Sequence, residues 1–336
     1  MTKRNKEVLT MIKVDLITGF LGSGKTTFIR KYASYLVEQG MKVGIIENDF
    51  GAINIDMVML SDLDSEMCDV EQIVGGNVET DWKRRFKAKL IAMAMQGLKR
   101  VVVEPSGIYD VDAFFDVLYE EPVSNWYEPG NIFTIVDARV EDDLSKQARY
   151  LMTSQIANAG AIVFSKAQEA TPEQILESIK RLNGMLEEFH SNRTLTDEVI
   201  TKPWNELTPE DYEKLLNCGW HSADHEKLWF DHNDAFTSLF FMNVHMAADQ
   251  VKGTVEKLFA DKKCGQIFRV KGFFPQTDGS WIEVNATRDN FSMKTIEQAQ
   301  EVVIVIGQGL KEDVCILPSL NKCIDKKRKI VYNCIK

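Results

Sequence analysis

Residues 19–27 read Gly19-Phe20-Leu21-Gly22-Ser23-Gly24-Lys25-Thr26-Thr27, preceded by apolar Val14, Leu16 and Ile17 and followed by Phe28, Ile29, Tyr32 and Leu36. The spacing fits GxxxxGK[ST], with Gly19, Gly24, Lys25 and Thr26 at its fixed positions. Glycines let such a loop curl so that successive backbone N–H groups point inward, and the lysine reaches terminal phosphates. Thr26 offers a hydroxyl to Mg²⁺, and the helix that starts here adds its unsatisfied N–H groups and dipole to the anion site. The expected phosphate contacts are therefore Gly19, Gly22, Ser23, Gly24, Lys25, Thr26 and Thr27.

Outward from this loop the chain alternates strand and helix signals. Residues 12–18 read as a strand, 27–38 as a helix closed by Gly40, and 41–47 (MKVGIIE) as a buried strand ending in polar Asn48 and Asp49. Residues 55–80 read as an acidic loop broken at Gly75 and Gly76, and 82–98 as a helix with a basic, solvated face. Residues 99–104 (KRVVVE) form the next buried strand. A hydrophobic strand ending in an acid at this distance from the loop looks like a Walker B element, so Glu104 would hold Mg²⁺ through water or orient an attacking water. Residues 131–137 and 159–166 add strands around a helix at 142–158. Five strands interleaved with helices imply a mainly parallel α/β sheet with helices on both faces.

A helix at 171–190 begins at the Thr171-Pro172-Glu173 start signal. Periodicity weakens after it, and a second pattern of strands around a helix (246–261) suggests a smaller α+β domain. The expected organisation is 1–202, a linker at 203–234, a C-terminal domain at 235–320, and a tail at 321–336 with six Lys or Arg against one Asp.

A formal charge of −10 argues against a general nucleic-acid binder. No apolar run is long enough to span a membrane, and the basic N-terminus lacks a signal-type core, so a cytoplasmic protein is expected. Cys68, Cys218, Cys264, Cys315, Cys323 and Cys334 form no CxxC pair, which argues against a disulfide framework.

Taken together, GFLGSGKTT, IIENDFG (45–51), VVVEPSG (101–107), IVDA (135–138) and VFSK (163–166) resemble the CobW-like P-loop GTPases, relatives of the nickel-enzyme chaperones UreG and HypB. RVKGFF (269–274) and VVIVIGQGL (302–310) resemble the family's C-terminal domain. The resemblance implies a GTPase using Mg²⁺ that assists delivery of a metal, or of a metal-containing cofactor such as a corrinoid, to a client metalloenzyme or corrinoid protein. It implies Lys25 and Glu104 as catalytic residues, Glu47 near Mg²⁺ or the transported metal, Ser165 and Lys166 at the guanine, and a nucleotide-dependent homodimer as one mode of action.

Three departures stand out. The family's GCxCC element, whose thiolates suit Zn²⁺, is replaced by VGGNVE (74–79), leaving Cys68 as the one nearby thiol. Ala52 stands where an acid often follows the switch, with Asp49 and Asp56 nearby. Gln168 stands where the guanine loop normally ends in Asp, and one amide oxygen replaces two acceptors; Glu169 would compensate in a loop shifted by one residue. Substitute ligands for Zn²⁺, Co²⁺ or Ni²⁺ would be His221 and His225, if helical, with Asp224, Asp231 and His232; the other reading is surface or packing histidines, with His245 in the core. A nucleotide-responsive interaction module without its own metal site is the alternative function. A small-molecule kinase shares only the phosphate loop.

Overall fold

The computed structural model describes residues 11–49, 60–74, 79–106, 111–142, 144–226, 237–242, 244, 246–288, 290–296, 302–311 and 315. The chain divides into two compact units, Met1–Leu228 and Trp229–Lys336.

The first unit is built on seven strands: β1 (Ile12–Thr18), β2 (Val43–Asp49), β3 (Cys68–Val74), β4 (Arg100–Glu104), β5 (Tyr127–Asp137), β6 (Ala161–Ser165) and β7 (Val199–Ile200). They lie in the order β3-β2-β4-β1-β5-β6-β7, and every neighbouring pair is parallel. The chain runs from β1 out to β3 on one side, then from β4 back past β1 to β7 on the other. In an open α/β sheet that reversal opens a crevice at the strands' carboxyl ends, here around β1 and β4.

Both faces are covered by helices, as the near-continuous apolar strands require. One face carries α1 (Lys25–Glu38): Phe28, Ile29, Tyr32 and Leu36 pack with Ile17, Val43, Ile45, Val102, Phe133 and Val163. Residues of the opposite parity meet other helices. A Cβ on Gly44 would strike Met93 of α2 (Glu79–Met93), and Thr134 Oγ1 donates to Gln155 O of α4 (Lys146–Asn158) at 2.8 Å. Between these helices in sequence lies α3 (Asp112–Tyr119), and α5 (Pro172–Glu188) follows β6. Thr171 starts α5 with a capping box, its hydroxyl on Gln174 N and the Gln174 side chain on Thr171 N.

The β1–β5 register slips between Val14 and Leu16, with the extra residue on β5, so that Gly130 and Asn131 both lie against the fully buried Asp15. Its carboxylate receives Arg100 Nη1 at 2.6 Å, Tyr32 Oη at 2.7 Å and Asn131 N at 2.7 Å. Burial and the Asp15 charge push the Tyr32 hydroxyl well up. Burial alone would pull Arg100 down, but Asp15 more than offsets it. A cation and two neutral donors thus satisfy one buried anion.

The stretch expected as a linker is not one over its described part. Residues 203–226 belong to the first unit and carry α6 (Pro209–Leu216), whose Leu215 is fully buried among the α1 core residues. Beyond α6, Gly219 N donates to Asn131 Oδ1 at 2.8 Å, Ile132 N to Gly219 O at 2.9 Å and His221 N to Asn158 O at 3.0 Å. Irregular backbone packed against a sheet shows no periodicity, which is why the sequence hid it.

The second unit is an antiparallel sheet of β8 (Thr237–Met242), β9 (Gln266–Pro275), β10 (Trp281–Thr287), β11 (Asn290–Ile296) and β12 (Val302–Gln308), in the order β11-β10-β9-β12-β8. Alternate residues Ile282, Val284 and Ala286 of β10 are buried, with Val251, Val255 and Leu258 of α7 (Ala248–Ala260) in the same core. This is the expected α+β layout. Three strands escaped the sequence reading: β3, inside the acidic stretch, the two-residue β7, and β11, an edge strand with mostly exposed side chains. Among the described residues no helix is long and apolar enough to cross a membrane.

Candidate functional site

The glycine-rich loop joins the buried end of β1 to the start of α1. Gly19 has φ +146°, and a Cβ there would meet Ile135 O at 2.3 Å, so only glycine lets the loop pass β5. Gly22 (φ +76°) and Gly24 (φ +98°) continue the curl. Gly24 at the N-cap of α1 brings no side chain to cap it, which leaves the helix's first N–H groups directed into the loop's concavity. Lys25 is buried, and its Nζ folds over the loop onto Gly19 O at 3.1 Å. The Ser23 hydroxyl is buried and has no hydrogen-bond partner among the described residues. Cationic and N–H donors lining a curled loop suit a polyphosphate.

Thr26 Oγ1 donates to Glu104 Oε1 at 2.9 Å, joining the first turn of α1 to the end of β4. Glu47 of β2 stands in register with Glu104, and both are almost wholly buried, 1% and 4% exposed. Two carboxylates on neighbouring strands at this edge have the chemistry to share a cation. Thr18 Oγ1 and Asn48 Oδ1 are buried at the same edge, without partners among the described residues. Hard oxygen donors converging beside a phosphate loop fit Mg²⁺, which takes a hydroxyl and carboxylates and keeps several waters.

On the other side of β1 the ends of β5, β6 and β7 make a second lining. Ala138 N donates to Ser165 O at 2.9 Å, tying β5 to β6. Lys166, in a left-handed conformation at φ +53°, forms an ion pair with Asp137. Arg139 donates from its backbone N to Asp137 Oδ1 at 3.0 Å and from Nη2 to Glu169 Oε2 at 3.0 Å. Gln168 is exposed and its side chain has no hydrogen-bond partner among the described residues. A Cβ added to Gly24 would lie 3.2 Å from the Trp204 ring and 3.7 Å from Ser165 Cβ, so both residues border the phosphate loop. Trp204 packs on Phe28 with ring centres 5.3 Å apart, and its indole N–H is buried without a partner among the described residues.

Residues 13–193 match the CobW/HypB/UreG nucleotide-binding domain. The chain belongs to that family. It is similar to the zinc chaperone YeiR of Escherichia coli (strain K12), 29% identical over 177 residues that make up 52% of this chain and 53% of that protein. Zinc chaperone YjiA of the same organism is 26% identical over 181 residues, 52% of this chain and 55% of that protein. Zinc-regulated GTPase metalloprotein activator 1 of Schizosaccharomyces pombe is 21% identical over 350 residues, 90% of this chain and 84% of that protein. The chain spans about half the length of the two E. coli relatives it matches.

Within this member of the family, the site residues named from sequence fall on two sides of one loop. Lys25, Thr26, Glu47 and Glu104 gather around β1, β2 and β4, and Ser165 and Lys166 border the opposite side. The replacement metal ligands do not gather. Cys68 begins β3 opposite Val43, at the amino end of the sheet, and burial pushes its thiol up to about 11. Residues 221–226 are not helical, so His221 and His225 share no helix face. Burial lowers the His221 pKa, and the His225 ring packs 5.8 Å from Tyr150. Among the described residues no group of three or more His, Cys, Asp or Glu side chains could hold a metal ion. Ala52, Asp56, residues 75–78, His232 and His245 lie outside the described residues.

Sequence reading placed Asn48 at a strand's carboxyl end but missed Trp204, Arg139 and Thr18 as site residues. Each follows or ends a strand, and the position of a polar or aromatic residue at a carboxyl edge was the signal available.

Proposed function

We propose that this chain binds and hydrolyses GTP, and couples that cycle to delivery of a metal or metal-containing cofactor to a client protein. The observation that carries the reading is the 2.9 Å bond from Thr26 Oγ1 to Glu104 Oε1 beneath the glycine loop, with Glu47 in register beside it. It joins a phosphate-binding helix start to a pair of buried carboxylates, which is the chemistry a nucleoside triphosphate needs. The names of the zinc chaperone relatives support the delivery step. Client metalloenzymes and corrinoid proteins are the partner classes that fit, and a nucleotide-dependent homodimer remains part of the reading.

In this mechanism Lys25 leaves Gly19 O for the terminal phosphates, and the loop N–H groups hold the phosphate chain. Thr26 would hold Mg²⁺ directly, Glu104 through water, and Glu47 from the neighbouring strand. The ion supplies charge neutralisation on the phosphate oxygens when bound. Lys25 stabilises charge that develops on the transferred phosphoryl group, and Glu104 orients the attacking water.

The test is GTP turnover and binding with Mg²⁺, for the native chain and for Lys25→Ala, followed by Zn²⁺ titration with and without GTP. GTP-dependent Zn²⁺ binding with turnover that Lys25→Ala abolishes is expected. Unchanged turnover in Lys25→Ala would overturn the site, and nucleotide-independent metal behaviour would overturn the coupling.

A further inference from the structure

The phosphate loop divides the carboxyl edge into unlike halves. Lys25, Thr26 and Glu104 fix the terminal phosphates over β1 and β4, so the nucleoside must extend the other way, over β5, β6 and β7. There it meets the loop 165–169 and Trp204, which both border Gly24.

The charges in that half are already spent. Asp137 holds Lys166 and the Arg139 backbone N–H, and Glu169 holds the Arg139 guanidinium at 3.0 Å. Glu169 is therefore committed to Arg139 and does not supply the carboxylate missing from position 168. Ser165 Oγ donates to Val136 O at 3.4 Å, so within the 165–169 loop the neutral side chain left to read a base edge is the exposed Gln168 carboxamide.

A carboxamide and a carboxylate select different edges. Guanine presents N1–H and N2–H₂, two donors side by side, and a carboxylate accepts both. A carboxamide offers one acceptor and one donor, so against guanine one N–H would face another N–H. Xanthine presents N1–H beside the O2 carbonyl, a donor next to an acceptor, and pairs with a carboxamide through two hydrogen bonds. Hypoxanthine keeps N1–H and has nothing polar at C2, which leaves one bond and no clash. A mismatched edge loses one hydrogen bond and sets two donors against each other, so selection follows the pairing pattern.

Resting on the nucleotide-binding reading above, we propose that Gln168 is the base-selecting residue and that the chain takes a 2-oxopurine nucleoside triphosphate at least as tightly as GTP. Trp204 supplies the apolar wall on the same side, and Arg139 keeps Glu169 from reading the base.

The experiment is competition binding on the full chain with Mg²⁺, using a ribose-labelled guanine nucleotide displaced by XTP, ITP, GTP and ATP, for the native chain, Gln168→Asp and Glu169→Gln. The expected result is XTP binding at least as tightly as GTP, with ITP between or near them. Gln168→Asp shifts the XTP-to-GTP affinity ratio at least tenfold toward GTP, and Glu169→Gln leaves the ratio within twofold. The proposal falls if the native chain binds GTP more than twofold more tightly than XTP, if ATP outcompetes both, or if Glu169→Gln and not Gln168→Asp moves the ratio. Those failures leave nucleotide binding intact. Absence of binding by every nucleotide would instead overturn the phosphate-site reading on which the proposal rests.

Discussion

The parallel sheet carries two groups of buried polar residues, and they are treated oppositely. Inside the sheet, Asp15 is surrounded by Arg100, Tyr32 and Asn131, each within 2.7 Å of its carboxylate. At the carboxyl edge, Glu47 and Glu104 lie side by side, and Thr18 Oγ1, Ser23 Oγ and Asn48 Oδ1 have no partner among the described residues. Burying polar atoms costs free energy in both places. In the first the fold itself supplies the compensation, and in the second a cation and a polyphosphate have the complementary chemistry. Substitutions should therefore separate the two groups: the interior one moves stability, and the edge one moves binding and turnover.

The largest expected effect is at Arg100. Arg100→Met keeps most of the volume and leaves Asp15 as an uncompensated buried charge, which costs about 3–5 kcal/mol. Urea unfolding should show this as a shifted midpoint with an unchanged slope. A loss under about 1 kcal/mol would mean that Tyr32 and Asn131 satisfy Asp15 alone and that the ion pair is dispensable.

Next comes Glu104→Gln, which should reverse the pattern. Gln keeps an acceptor for Thr26 Oγ1, so unfolding stability should change by less than about 1 kcal/mol. Turnover should fall by roughly 10²–10³-fold, the size seen when one preorganised group is removed from an active site. If stability collapsed while turnover of the folded fraction survived, the edge pair would belong with the structural group and the contrast would be lost.

How much of this was readable beforehand follows the same division. β1, α1 and β4 were legible because apolar runs and a glycine motif encode them locally; β1 falls at the residues expected, Ile12–Thr18. Lys25, Thr26 and Glu104 came with those elements. β3 was hidden because its seven residues, CDVEQIV, sit in an acidic stretch and gain their stability from pairing with β2. Asp15 gave no warning, since an acid inside an apolar strand is intelligible only once Arg100 arrives from another strand. Trp204 was read as part of a linker because its partners, Phe28 and Gly24, are remote in sequence. What failed was long-range, and what succeeded was local.

A smaller effect is expected at Glu198, just before β7. Its carboxylate accepts from Thr196 N at 2.9 Å, Thr196 Oγ1 at 3.0 Å and Arg193 Nη2 at 3.0 Å. Burial would raise its pKa, but these donors outweigh that and bring it from 4.5 down to about 2. A depressed carboxylate stabilises the fold fully above its ordinary value and loses that contribution as pH falls toward the folded one. Glu198→Gln should thus cost about 1–3 kcal/mol at pH 7, with the gap to the native chain closing between pH 4.5 and 2. A gap constant across that interval would show that the carboxylate's charge is not what those donors hold.

The smallest effect is expected at Cys68, where the contrast between the two ends bears on metal chemistry. Cys68 opens β3 opposite Val43, and Glu47 lies near the far end of the neighbouring strand, about 13 Å along. Burial, together with Asp64 and Asp69, pushes the thiol up to about 11. At pH 7 only about one molecule in ten thousand would then carry the thiolate that a soft metal binds. Cys68→Ala should change Zn²⁺ affinity, measured with and without GTP, by less than about twofold, while costing about 1 kcal/mol of stability for the small cavity. A tenfold loss of GTP-dependent Zn²⁺ affinity would show that the amino end of the sheet takes part in metal binding, because a buried thiol that far from the carboxylate pair could matter only if β3 and β2 rearranged when the nucleotide bound.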